Sequence, residues 1–168
     1  MDDTNLDVTL ATFVFLARRG GVTVADPAVE AACAALEAGH GEAAQQARML
    51  VEAVRAKRAG ARTEDVRAAV DALVGGAAEL PADGDRDTRI AGVRRAMFGR
   101  NLPWVACIVD RDPDGSVGRH WVLVEAFTDT VKLMDPNPWD DVAEERAMPI
   151  GDFMVKWELA GGFGVRVV

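Results

Sequence analysis

The chain has no tyrosine, one serine (Ser116), two cysteines, two histidines and only three lysines in 168 residues. Each scarcity removes a class of protein. Cys33 and Cys107 lie far apart and form no CxxC pair, so neither a disulfide framework nor a clustered zinc site is expected. Both are read as small apolar core residues, and no metal or cofactor is expected. No apolar run approaches the roughly 20 residues that span a bilayer. The opening MDDTNLD is acidic where a signal peptide would be basic, so the expectation is a soluble, cytoplasmic chain. Positive charge is also short. A formal net charge of −8 would be repelled by nucleic acid and by acidic membrane surfaces, so neither is expected as a partner.

What the chain does have is apolar residues, 49% of the total, in periodic order. The length fits one domain, 1–168, with a helical half over about 1–100 and a sheet half over about 101–168. NLDVTLATFVFLARR (5–19) places Leu6, Leu10, Phe13, Val14 and Ala17 at helical spacing, with Thr4 or Asp7 as a cap and Gly20-Gly21 as the stop. DPAVEAACAALEAG opens on Asp26 as N-cap, with Pro27 in the first helical position, and ends at Gly39. Further helices are predicted over about 42–59, over 63–74 with a cap at Thr63, and over about 87–99. His40, in a Gly-flanked turn, reads as a solvated helix-end residue. The periodicity then changes. LPWVACIVD (102–110), HWVLVEAF (120–127) and TVKLMD (130–135) read as strands, IGDFMVKWEL (150–159) as a short helix and FGVRVV as a closing strand. The fold class is therefore α+β, with N-terminal helices packed on a C-terminal antiparallel sheet.

The stretch GRHWVLVEAFTDTVKLMDPN carries the chemistry. If 120–127 and 130–135 form a hairpin about Thr128-Asp129, residue 120 lies opposite 137. Asp135 is then diagonal to His120 and on the same face by parity. A carboxylate there can accept a proton from one imidazole nitrogen and leave the other free as a base.

PWVACIVD, GRHWVLVEAF, TVKLMDP and PIGDFMVKW, in this order over about residues 89–160, resemble the C-terminal half of C39-like peptidases, which are papain-fold cysteine peptidases. The resemblance implies a papain-like fold, with His120 as catalytic base and Asp135 as its orienter. It also implies a nucleophilic cysteine at the start of the first helix, within Asp-Cys-Gly, and a glutamine shortly before it. There the chain departs from the family. Asp7 matches the Asp, Val8 falls at the nucleophile position, Thr9 replaces the glycine, and no glutamine precedes them. Cys33, Cys107, Thr4, Thr9 and Ser116 are the candidates to replace the lost thiol. Cys33 is interior to its helix and lacks the dipole and free N–H groups, and Cys107 is mid-strand in an apolar run. A threonine hydroxyl needs a strong base and an oxyanion hole, and Ser116 is in an exposed turn.

The expectation is a C39-like pseudo-peptidase that binds a peptide, a peptide-like molecule or a partner protein in a degenerate cleft. Asp7, Thr9, Trp121 and Trp139 are its candidate binding residues. Of the tryptophans in this half, Trp121 and Trp157 are also natural core residues. The acidic run Asp140, Asp141, Glu144 and Glu145 can steer a basic peptide. The alternatives are an enzyme that uses His120 and Asp135 for acyl-transfer, amide or cyclisation chemistry without a thiol, an active cysteine hydrolase using Cys33, and a plain interaction domain.

Overall fold

The computed structural model describes residues 3–39, 41–81, 83–111, 114–135 and 144–168. Four helices come first: α1 (Asp3–Arg19), α2 (Pro27–Ala38), α3 (Ala43–Arg55) and α4 (Thr63–Val74). They are followed by β1 (Ala77–Glu79), α5 (Arg86–Met97), β2 (Trp104–Arg111), β3 (Val117–Phe127), β4 (Thr130–Asp135), β5 (Glu144–Pro149), α6 (Ile150–Leu159) and β6 (Gly164–Val167). The strands form one open six-stranded sheet of order β1-β6-β2-β3-β4-β5. Every pairing in it is antiparallel.

Local chemistry accounts for most element ends. Asp26 caps α2 by accepting from the Val29 N–H at 3.0 Å, and Gly39 ends the helix at φ 71°, in the left-handed region that glycine enters without strain. Asp85 caps α5 through the Thr88 N–H. Two predicted caps are corrected. Helix α1 already runs from Asp3, so Thr4 and Asp7 lie inside it. Thr63 is the first residue of α4, and Arg62 holds the N-cap position.

The sheet has a core on each face. Leu6, Leu10, Phe13 and Val14 of α1 pack with α2, α3 and α4 against Val105, Cys107, Trp121 and Leu123. On the other face Phe153, Met154 and Trp157 of α6, with Val93 of α5, cover Trp104, Ile108, Val122 and Leu133. Helices therefore flank both sides of the sheet rather than one. The helical half also donates a strand, because β1 pairs with β6 at the sheet's far edge.

The β3–β4 hairpin reaches the expected register by an unexpected route. Phe127 pairs with Val131, so the turn is one residue longer than a two-residue loop over Thr128-Asp129. A bulge at Glu125 takes up the extra residue, and Val124 then faces Leu133 and Leu123 faces Met134. Without that compensation every residue of β4 beyond the bulge would swap faces relative to β3.

Candidate functional site

Ile108 pairs with His120 and Val124 with Leu133, which puts His120 on the α6 face of the sheet. One step beyond Leu123–Met134, Asp135 stands opposite Val122, diagonal to His120 and on that same face. The predicted parity of the pair thus matches the register. His120 and Asp135 are both half-buried.

The same face holds residues that the sequence reading missed. Asp110, two residues after Ile108 on β2, accepts from Lys156 Nζ of α6 at 2.8 Å and from Arg146 Nη2 of β5. Arg146 Nη1 reaches Asp135 Oδ2 at 3.3 Å. Lys156, Asp110, Arg146 and Asp135 form a line of alternating charge across the end of the sheet where His120 lies. Burial of Asp110 raises its carboxyl pKa, but the bonds from Lys156 and Arg146 outweigh this and hold it down to about 2. Beside Asp110 and Lys156 a shallow depression of about 360 Å³ is rimmed by Val117, Val155 and Leu159, all exposed. Asp110 was legible in principle, since it continues the alternation of Trp104, Ala106 and Ile108. Arg146 was not, because no strand was predicted over β5.

Helix α1 meets β3 at this corner. Asn5 Oδ1 accepts from the Trp121 N–H at 2.8 Å, and Thr9 Oγ1 donates to the Trp121 carbonyl at 3.0 Å. The two side chains, one helical turn apart, satisfy a backbone unit of β3. Val8 adjoins Thr9 on α1, which packs on the Trp121 face of the sheet, whereas His120 lies on the opposite, α6 face. Val8 is half-buried and sits in the second turn of α1. Its N–H is already committed within the helix, and the helix-start field has largely decayed there.

Three predicted binding residues are corrected. Asp7 is 1% exposed, and its carboxylate accepts from Arg55 Nε at 2.8 Å and from Arg58 Nε and Nη2, the latter at 3.1 Å. It ties α1 to Arg55 at the end of α3 and to Arg58 just beyond it. Thr9 is buried with its hydroxyl spent on Trp121. Trp121 is buried against Phe163, with ring centroids 5.8 Å apart. Trp139, His40, Asp140 and Asp141 lie outside the described residues.

The thiols are not substitutes for a nucleophile. Cys33 and Cys107 are buried, and burial pushes each up to about 11, so neither carries appreciable thiolate at neutral pH. Among the described residues no group of three or more His, Cys, Asp or Glu side chains is placed to hold a metal ion. Nor is any described helix long and apolar enough to cross a membrane. A wider groove of about 610 Å³ opens at the other end of β3, over Trp104, Phe127 and Leu102, away from His120.

The chain matches no family model, and no curated protein or solved structure is significantly similar to it.

Proposed function

We propose that this chain is a C39-like pseudo-peptidase, a papain-type domain that binds a peptide or peptide-like segment of a partner without cleaving it. The observation that carries the reading is the register that sets His120 and Asp135 on one face of the sheet. The position that the resemblance gives to the nucleophile is the aliphatic Val8, next to Thr9, whose hydroxyl is held by the Trp121 carbonyl. The apolar rim of Val117, Val155 and Leu159 next to the Asp110–Lys156 pair supplies a surface for a ligand side chain. Buried thiols with raised pKa support a binder over a cysteine hydrolase.

Val8→Cys tests the reading. The native chain is expected to resist iodoacetamide and a peptidyl epoxide at neutral pH, since both of its thiols are buried. The thiol introduced by Val8→Cys is expected to label faster than a model thiol, and adding His120→Ala should return it to the model rate. Labelling of that introduced thiol at the model rate, whether or not His120 is present, would refute the reading of Val8 and His120 as parts of one site. The native chain is also expected to hydrolyse no peptide in a fluorogenic panel. Turnover that His120→Ala abolishes would replace the binder by an enzyme that uses His120 without a thiol.

A further inference from the structure

β5 is an outer strand of the sheet and, among the described residues, pairs only with β4. The Ile150 N–H donates to the Asp129 carbonyl at 2.9 Å, which sets the phase of this ladder. Counting back in twos, Met148, Arg146 and Glu144 turn their backbone groups toward β4, and Pro149, Ala147 and Glu145 turn theirs outward. The outer edge thus offers the N–H and carbonyl groups of Glu145 and Ala147, while the Pro149 carbonyl, as N-cap of α6, belongs to the helix. Pro149 has no N–H to offer.

Of the side chains flanking that edge, Glu145 carries the charge. Glu145, Ala147 and Pro149 are exposed on the face away from α6, because their partners Met134, Lys132 and Thr130 alternate with the buried Leu133 and Val131. Glu125, the bulge residue of β3, reaches the same area. Partial burial and the neighbouring Glu145 push its carboxyl above the usual glutamate range, with Lys132 pulling the other way. Two carboxylates that repel each other with one lysine between them form a subsite that a further cation would relieve.

We propose that the outer edge of β5 binds an extended peptide bearing a basic side chain, added to the sheet as a further antiparallel or parallel strand with that side chain against Glu145. This surface is separate from the His120 corner and does not rest on the pseudo-peptidase reading. Backbone pairing supplies the general affinity of strand addition, and Glu145 with Glu125 supplies the preference for a cation. A second copy of this chain is the disfavoured occupant, since it would bring its own Glu145 to the same edge and each copy carries a net charge of −8.

The test uses the full chain and two blocked hexapeptides, one alternating Val with Lys and one alternating Val with Glu. At saturating Val-Lys peptide, amide exchange at Glu145 and Ala147 should slow by about tenfold or more. Ala147→Pro removes one outward donor and should weaken binding by about tenfold, the worth of one backbone hydrogen bond. Glu145→Lys, which keeps every backbone group, should transfer the preference to the Val-Glu peptide. The proposal is overturned if neither amide slows at millimolar peptide, if both peptides act equally, or if sedimentation shows the protection to come from self-association. Thiol labelling of Val8→Cys stays the same under every one of these outcomes, so failure here is distinguishable from failure at the His120 corner.

Discussion

Replacing Asp7 separates a structural carboxylate from a binding one. Its side chain is 1% exposed and takes three charge-assisted bonds, one from Arg55 and two from Arg58. The arginines are not equivalent: the Arg58 side chain is 9% exposed and Arg55 42%. In Asp7→Asn the side chain keeps its shape but loses its charge, and its NH2 group meets guanidinium donors. Arg58 then stays largely desolvated with the Asp7 charge removed, and breaking such a buried pair costs up to about 3–5 kcal/mol. Arg55 can turn to water, so its share is about 1 kcal/mol or less. Against a total stability of about 5–15 kcal/mol this is a large loss. With a urea slope of about 2 kcal/mol per molar, the midpoint should fall by about 2 M. The double variant Asp7→Asn with Arg58→Met should recover part of the loss, because the buried guanidinium leaves with Arg58. Arg55→Met alone should cost little. A midpoint shift below about 0.5 M for Asp7→Asn, or strict additivity in the double variant, would refute the buried-anchor assignment.

Two further perturbations follow from particular contacts. Asp110 sits at about 2 when folded, below the ordinary value of 3.8. Its stabilisation is therefore complete above about pH 4 and is lost as pH falls through about 2. The shift corresponds to at most about 2 kcal/mol, lessened by solvent at the rim of the network. Urea midpoints measured from pH 5 to pH 2 should show a steeper acid loss in the native chain than in Asp110→Asn; parallel curves would remove the network's role. At Gly164 an added Cβ would lie 2.7 Å from Cζ3 of Trp104 and 3.1 Å from Cδ1 of Leu80, so Gly164→Ala should cost about 1–3 kcal/mol by overpacking. Gly151, whose Cβ position is open, is the control: thermal unfolding should show a lower midpoint for Gly164→Ala and little change for Gly151→Ala.

The elements legible in the sequence are those whose signals are local. The Asp26-Pro27 start and Gly39 stop of α2 need only a capping carboxylate and a residue tolerant of positive φ, and both are present. The apolar spacing of α1 predicted its core face, with Leu6, Leu10, Phe13 and Val14 all fully buried. β1 was missed because Ala77–Glu79 carries no strand signal of its own. Its pairing is imposed by β6, which comes far later in the chain. β5 was missed because EERAMP has three charged residues at its start and a proline at its end, as suits an outer strand, and a central-strand pattern does not describe it. The inward-facing Asp7 and Thr9 looked available for ligand because polar residues near a helix start are usually exposed. Here each is consumed by a partner distant in sequence: Trp121 for Thr9, and Arg55 and Arg58 for Asp7.

The His120–Asp135 pair shows how far parity carries and where it stops. Parity is a property of two adjacent strands, and here it survives because a longer turn and a bulge at Glu125 cancel. What the carboxylate does is decided by every element that reaches it, and Arg146 arrives from β5, one strand further out. An orienting carboxylate contributes to catalysis by offsetting the charge of an imidazolium as it forms. Asp135 has one oxygen on a guanidinium already, so part of that negative charge is offset before any proton moves. Arg146 in turn leans on Asp110, which Lys156 also holds, so the carboxylate is fixed in place by a line of charges running across the face that His120 shares. A carboxylate already held by a guanidinium has less charge left to offset an imidazolium, which agrees with the proposed binding role over turnover.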